Sequence, residues 1–238
     1  KKFNFIDLFA GCGGLSEGFY KEGFENLTNI EFDPFSCKTL KERIVYHGCN
    51  GSVLEKDITD SDVIDLLEKE TKGQKLDVLV GGPPCQSFSS LGKAKDGKGM
   101  IDDPRNYLFE SYERILNHFK PKIFVFENVP GLLSAKLGKK KTIDVIMGKL
   151  GKKYKLIDDP KKMVLNSCEY GVPQLRKRVI LIGSRKDLKV DPIKIYNNII
   201  KTHYKPGDSE AKKKGLSKYV TVEEAIGDMP AIEPGEGE

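Results

Sequence analysis

The stretch Phe5-Ile6-Asp7-Leu8-Phe9-Ala10-Gly11-Cys12-Gly13-Gly14 runs from an apolar, strand-like segment directly into a glycine-rich turn. A segment that reads as a helix, from about Leu15 to Lys21, follows at once. A strand, a glycine turn and a helix in immediate succession open an α/β unit whose turn lets a ligand approach bare backbone. Working outward, the pattern repeats. Strands are expected at Phe3 to Phe9, Leu27 to Phe32, Val53 to Asp57, Leu76 to Val80, Ile123 to Phe126, Lys155 to Asn166 and Val179 to Ser184. Helices are expected from Pro34, where proline suits a first turn, at Val63 to Lys69, Pro104 to Phe119 and Thr142 to Leu150. Such alternation predicts an α/β, Rossmann-like fold: a mostly parallel sheet with helices on both faces and ligands at the carboxyl ends of the strands.

Composition narrows the class. The 238 residues are 38% hydrophobic and 32% charged, which fits a globular chain rather than a disordered one. No apolar run approaches the roughly 20 residues that span a bilayer, so no membrane partner is expected. No secretory signal precedes the first strand, and the default compartment is the cytoplasm. The net charge of +5 admits a polyanionic partner without requiring one. Cys12, Cys37, Cys49, Cys85 and Cys168 are scattered with no C-x-x-C pair, so neither a zinc site nor a disulfide framework is expected. Most of them are read as small buried hydrophobes.

The first turn fits an adenosine-bearing cofactor, with Glu31 about 20 residues on to bind ribose hydroxyls. A dinucleotide fingerprint would place glycine where Ser16 stands. Asp7, Glu31 and Asp57 each fall at or near a strand end, and such a ring of carboxylates would repel a pyrophosphate. S-adenosylmethionine carries positive sulfonium and ammonium groups and no phosphate, so it suits that ring. A tight turn with no ligand is the plainer alternative for the glycines, and a surface aspartate or helix cap is the plainer one for Asp57.

A second stretch, Gly81-Gly82-Pro83-Pro84-Cys85-Gln86-Ser87-Phe88-Ser89, follows the strand that ends near Val80. Its glycines and prolines fix the backbone, and its flanks are polar or conformationally special, which argues against a buried structural cysteine. These residues resemble the Pro-Cys-Gln motif of the DNA cytosine-5 methyltransferases. Phe5 to Gly14 resembles that family's cofactor motif. Phe126-Glu127-Asn128-Val129-Pro130-Gly131 resembles its Glu-Asn-Val motif, and Pro173-Gln174-Leu175-Arg176-Lys177-Arg178 its Gln-x-Arg-x-Arg motif. The matches fall in family order and span residues 3 to 184.

The resemblance implies roles. Cys85 is the nucleophile that adds to cytosine C6, and Glu127 is the acid at N3, which requires a carboxyl pKa raised by burial. Arg176 and Arg178, at i and i+2 of a strand, would point one way and serve the cytosine carbonyl oxygen, Glu127 and the DNA backbone. Pro84, Gln86, Ser89 and Asn128 are assigned to the substrate. S-adenosyl-L-methionine is assigned to Asp7, Phe9, Ala10, Gly11, Gly13, Gly14, Leu15, Glu31, Phe32, Asp57, Ile58, Pro83 and Leu108. Double-stranded DNA is the implied partner, its target base flipped out of the helix. Ser90 to Asp103 resembles the loop that closes over DNA in this family.

Residues 1–185 are taken as the catalytic, cofactor-binding part, and 186–238 as a connection toward a target-recognition region not visible in the sequence. That region is expected in a C-terminal segment or a second chain, and a cognate restriction endonuclease is a further expected partner. Leu175 stands where the family often has arginine, which leaves the other motif residues in place. The alternatives are a tRNA cytosine-5 methyltransferase on the same fold, a non-catalytic DNA-binding relative, and a nicotinamide-dependent oxidoreductase.

Overall fold

In the computed structural model, residues 2–84, 108–137, 139–209, 212 and 215–233 are described. β1 (Asn4–Leu8), β2 (Glu25–Glu31), β3 (Ser52–Glu55), β4 (Val78–Gly81) and β5 (Ile123–Asn128) form the parallel part of one sheet. β8 (Tyr154–Lys155), β9 (Val164–Asn166) and β10 (Lys177–Arg185) complete it. The order is β3-β2-β1-β4-β5-β10-β8, with β9 also paired to β10. Every pair from β3 to β5 is parallel, and β10 runs antiparallel to β5, β8 and β9. The order reverses between β1 and β4, and the crevice beyond their carboxyl ends is where such sheets hold ligands. The sequence places its two glycine-bearing turns there.

Alternation along the strands builds two cores. Ile6, Leu8 and Leu79 pack with α3 (Val63–Thr71), α4 (Leu108–Phe119) and α5 (Thr142–Leu150). Phe5, Val78 and Val80 pack on the other face with Tyr20 of α1 (Ser16–Lys21) and Leu40 and Ile44 of α2 (Pro34–Tyr46). Each fully buried side chain of this kind contributes roughly 1.5–3 kcal/mol. Tyr112 of α4 is fully buried, and its hydroxyl lies 3.1 Å from the carbonyls of Leu79 and Val125. Burial of the ring is therefore not offset by an unpaired hydroxyl, and α4 is locked across β4 and β5. The helix start at Pro34 is as expected: Asp33 accepts from the Ser36 amide at 2.7 Å and caps it.

Two expectations are corrected. The single strand expected over Lys155 to Asn166 is broken into β8, a 3-10 turn at Pro160–Met163 and β9. Pro160 has no amide to give a ladder, and Asp159 caps the turn by accepting from the Lys161 amide. The last strand starts earlier, at Lys177, because β9 pairs Asn166 with Lys177. The first turn expected for α4, from Pro104, and the stretch Ser90 to Asp103 fall within residues 85–107, which lie outside the described residues.

Beyond Arg185 the chain stays attached to the sheet. α6 (Pro192–Asn197) places the Tyr196 hydroxyl 2.6 Å from the Ile180 carbonyl, to which it donates, and 2.8 Å from the Ile182 amide, from which it accepts. β11 (His203–Tyr204) pairs with β12 (Ser217–Lys218). A short helix, α7 (Val222–Ile226), follows, opened by a reciprocal Thr221–Glu224 capping box.

Candidate active site and cofactor pocket

A cavity of about 400 Å³ opens at the carboxyl end of the sheet. Phe9, Glu31, Phe32, Asp57, Ile58 and Leu108 line it, and all are among the residues assigned to the cofactor. Ile30, Lys56, Thr59 and Pro84 line it too, and the sequence reading missed them for that role. Lys56 carries no motif signal. It is held at the rim by ion pairs to Asp60 and Asp62, each 3.1 Å long. Pro84, assigned to the substrate, lines the cavity, whereas Pro83, assigned to the cofactor, is buried and its carbonyl accepts from Asn128 Nδ2 at 3.1 Å.

The turn after β1 is built by backbone bonds. Phe9, Gly11 and Gly13 all have positive φ, at 57°, 53° and 85°. Glycine adopts this region freely, while a phenylalanine there carries strain of the order of 1–3 kcal/mol. The bond from the Ala10 amide to the Ile30 carbonyl, 3.0 Å, helps hold Phe9 in place. Glu31 is the organising group. Its carboxylate accepts from the amides of Gly11 at 2.8 Å, Phe32 at 3.0 Å and Asp33 at 2.9 Å. A carboxylate offers about four acceptor positions, so one remains for a ligand hydroxyl. Asp57 is exposed and uses one oxygen for the amide and hydroxyl of Thr59, which holds its pKa below the ordinary value and leaves the other oxygen open.

The third member of the expected acidic ring lies elsewhere. Asp7 is fully buried and is not part of the cavity wall. It accepts from Ser16 Oγ at 2.6 Å, within a buried polar group that includes Asn29 and Asn26. Burial pushes its pKa up to about 7. The ring is therefore Glu31 and Asp57, with Asp7 behind the turn. Ser16, read only as a departure from the dinucleotide pattern, is the partner of that buried acid.

Glu127 is the last residue but one of β5, and Arg178 approaches from β10. Arg178 Nε donates to Glu127 Oε1 at 2.7 Å, and both side chains are about a fifth to a quarter exposed. Burial raises the Glu127 pKa, as expected, while the charges of Arg178 and Arg176 pull against it. Like that of Arg178, the charge of Arg176 reaches Glu127. Arg176 precedes β10 and is held by Ser167, whose hydroxyl accepts from the Arg176 amide and whose own amide donates to the Arg176 carbonyl. Gly82 closes the other side: a Cβ there would sit 2.8 Å from Glu127 Oε2. Asn128 is buried, and its two bonds, to Pro83 and to the Val129 amide at 2.8 Å, join the strand ends. Ala10, Gly13, Gly14 and Leu15 belong to the turn, away from the cavity wall. Cys85, Gln86 and Ser89 lie outside the described residues. Among the other cysteines Cys37 and Cys168 are buried as expected, whereas Cys12 is exposed at the tip of the first turn.

Sheet order and topology are those of the Rossmann-like methyltransferase fold. The chain belongs to the C-5 cytosine-specific DNA methylase family, whose sequence profile matches residues 3–233. It is 39% identical over 98% of its length to the type II methyltransferase M.DdeI of Desulfomicrobium norvegicum, and covers 50% of that protein. It is 37% identical to M1.HphI of Haemophilus parahaemolyticus, covering 54% of it. It is 34% identical to M.AquIA of Picosynechococcus, covering 90%. The chain thus spans about half the length of the first two relatives and most of the third. A solved prophage-encoded DNA modification methyltransferase from E. coli superposes with a TM-score of 0.71 at 26% identity, over 97% of this chain and 56% of that one.

Proposed function

We propose that the protein transfers a methyl group from S-adenosylmethionine to C5 of a cytosine flipped out of duplex DNA, within a bacterial restriction-modification system or as a stand-alone DNA methylase. The observation that carries this reading is Glu127: a carboxyl with a raised pKa, held by an arginine, at the strand edge that also forms the cavity.

The cavity residues fit the cofactor. Its volume lies in the ordinary range for small-molecule sites. Its donor set is two carboxylates with aromatic and aliphatic walls, suited to ribose hydroxyls, a purine and a cationic centre. Glu31 takes a ribose hydroxyl on its remaining acceptor position, and Phe32, which is 71% exposed, offers a face to the purine. When bound, S-adenosylmethionine supplies an electrophilic methyl group.

The chain's own residues prepare the acceptor. The Cys85 thiolate adds to C6, and the electron pair displaced from the C5–C6 bond is drawn toward N3, where protonated Glu127 donates. Arg178 orients that carboxyl, and Arg176, which is exposed, is assigned the cytosine carbonyl oxygen. C5 gains the methyl group, N3 returns its proton to Glu127, the C5 proton leaves to water, and the electrons of that C5–H bond restore the C5–C6 double bond and expel the Cys85 sulfur as thiolate. Base flipping costs roughly a few kcal/mol, which contacts to the DNA backbone must offset. A target-recognition segment or second chain and a cognate endonuclease belong to this proposal.

The test is methyl transfer from labelled cofactor to duplex DNA and to tRNA, together with covalent trapping on DNA containing 5-fluorocytosine. Fluorine cannot leave C5 as a cation, so the adduct persists. Labelled DNA and a trapped adduct that is lost in Cys85→Ser are expected. Methylation of tRNA alone, or full activity of Cys85→Ser, would overturn the reading.

A further inference from the structure

β5 runs parallel to β4, so Glu127 and Asn128 end at the edge from which Gly82 to Pro84 emerge. The chain leaving that edge makes a 3-10 turn at Pro130–Leu133, a hairpin of β6 (Lys136–Leu137) and β7 (Lys140–Lys141), and then α5. The footing is firm. Leu132, Ala135 and Thr142 are buried, the Ala135 amide donates to the Gly131 carbonyl at 3.0 Å, and the Thr142 amide donates to the Ala135 carbonyl at 2.9 Å. The hairpin therefore stands on the carboxyl-edge side of the sheet, the side on which Glu127 lies. α5 leads from it toward Tyr154, which pairs with Arg185 at the far end of the sheet.

Lys136, Lys139, Lys140 and Lys141 are all exposed, and among the described residues none pairs with a carboxylate. Elsewhere in the protein Lys56, Lys122, Lys149 and Lys201 each have an acidic partner. The register places Lys136 directly opposite Lys141. Like charges in opposed positions disfavour strand pairing, and a hairpin this short has little stability of its own. The charge is thus concentrated against local stability, and an extended anion beside the hairpin relieves the repulsion. Point charges on flexible stems suit repeated phosphates.

We propose that Lys136, Lys139, Lys140 and Lys141 form a phosphate-contact hairpin that grips the backbone of duplex DNA next to the target base, independently of its sequence. This rests on the reading of the site as one that acts on DNA. The lysines set DNA affinity and take no part in the chemistry.

The experiment measures DNA binding against salt for the wild type, the four single Lys→Gln variants and the combined variant. Cofactor binding and melting temperature serve as controls for folding. The logarithmic salt dependence is expected to become shallower by about 0.9 for each lysine in contact with a phosphate. KM for DNA is expected to rise at least tenfold in the combined variant, with kcat at saturating DNA and the preferred DNA sequence unchanged. An unchanged salt dependence and KM in all five folded variants overturns the proposal, as does a loss confined to kcat. Trapping of the wild type by 5-fluorocytosine DNA reports separately on the reading of the site: a trapped wild type with unaltered variants refutes only the hairpin.

Discussion

Arg178 donates from Nε to Glu127 Oε1 at 2.7 Å across the antiparallel junction of β5 and β10. Two opposed effects meet in this pair. Burial raises the carboxyl pKa and is the larger, while the guanidinium charges of Arg178 and Arg176 lower it. The net shift is upward, so the protonated form that can donate to a base persists to higher pH than in a free glutamate.

Replacing Arg176 removes a lowering influence without touching the Arg178 bond. In Arg176→Gln the Glu127 pKa rises further, and the alkaline limb of the pH profile of kcat/KM moves to higher pH even as the maximal rate falls. The pH–rate profile is the measurement, with a carboxyl titration followed by carbon NMR as its independent check. A limb that moves to lower pH contradicts Glu127 as the proton donor.

Gly82→Ala tests the fit around the same carboxyl. The added Cβ meets Glu127 Oε2 at 2.8 Å, and that oxygen is the end of a flexible side chain. The fold yields easily, and stability changes by about 1 kcal/mol or less. The carboxyl, however, is pushed off Arg178, and kcat falls by roughly 100-fold, the lower end of what losing a positioned acid costs. Gly183→Ala is the contrast: its Cβ would lie 2.1 Å from a ring carbon of buried Phe124, so it costs stability of about 1–3 kcal/mol or more. Thermal denaturation and steady-state kinetics separate the two outcomes.

Asp7 predicts a pH-dependent stability. Its folded pKa, about 7, stands above the ordinary value of 3.8. The folded state is therefore favoured while the group is protonated, and that advantage is full below about pH 4. It is lost as pH rises toward 7 and is flat above, a total of about 4 kcal/mol at 1.36 kcal/mol per pKa unit. Asp7→Asn removes this titration. The stability of wild type minus variant, from urea melts at pH 4 to 8, is expected to decline through that window. A difference that is flat or rises with pH sinks the assignment.

Phe32 and Asp57 predict an effect on binding alone. Phe32→Ala removes an exposed aromatic face at the cavity, and stacking of a base on such a face is worth roughly 1–3 kcal/mol. Calorimetry is expected to show the Kd for S-adenosylmethionine raised about tenfold, with kcat at saturating cofactor little changed. Asp57→Asn acts in the same direction and more weakly. Unchanged affinity in both variants would remove these residues from the cofactor wall.

The strand–turn–helix alternation, the turn after β1 and the helix start at Pro34 were legible in the sequence because each depends on residues near one another in the chain. Pro160 could have been read as a break in the long strand, since a proline inside a ladder is a local conflict. The acidic residues at strand ends were legible as a set, but not their division into Glu31 and Asp57 at the cavity and Asp7 behind it. Arg176 and Arg178 look alike as an i, i+2 pair, yet the strand begins between them.

By itself the sequence determined the element types, their order and the motif residues that follow the strands, because hydrophobic period and turn chemistry are local properties. Tertiary structure alone decided which side chains meet. Strand register and helix docking set the facing of every residue, and a slip of one position would turn Glu127 away from Arg178. The same packing brought Lys56, Thr59 and Pro84 to the cavity wall and sealed Asp7 beneath Ser16, pairings that no spacing along the chain encodes.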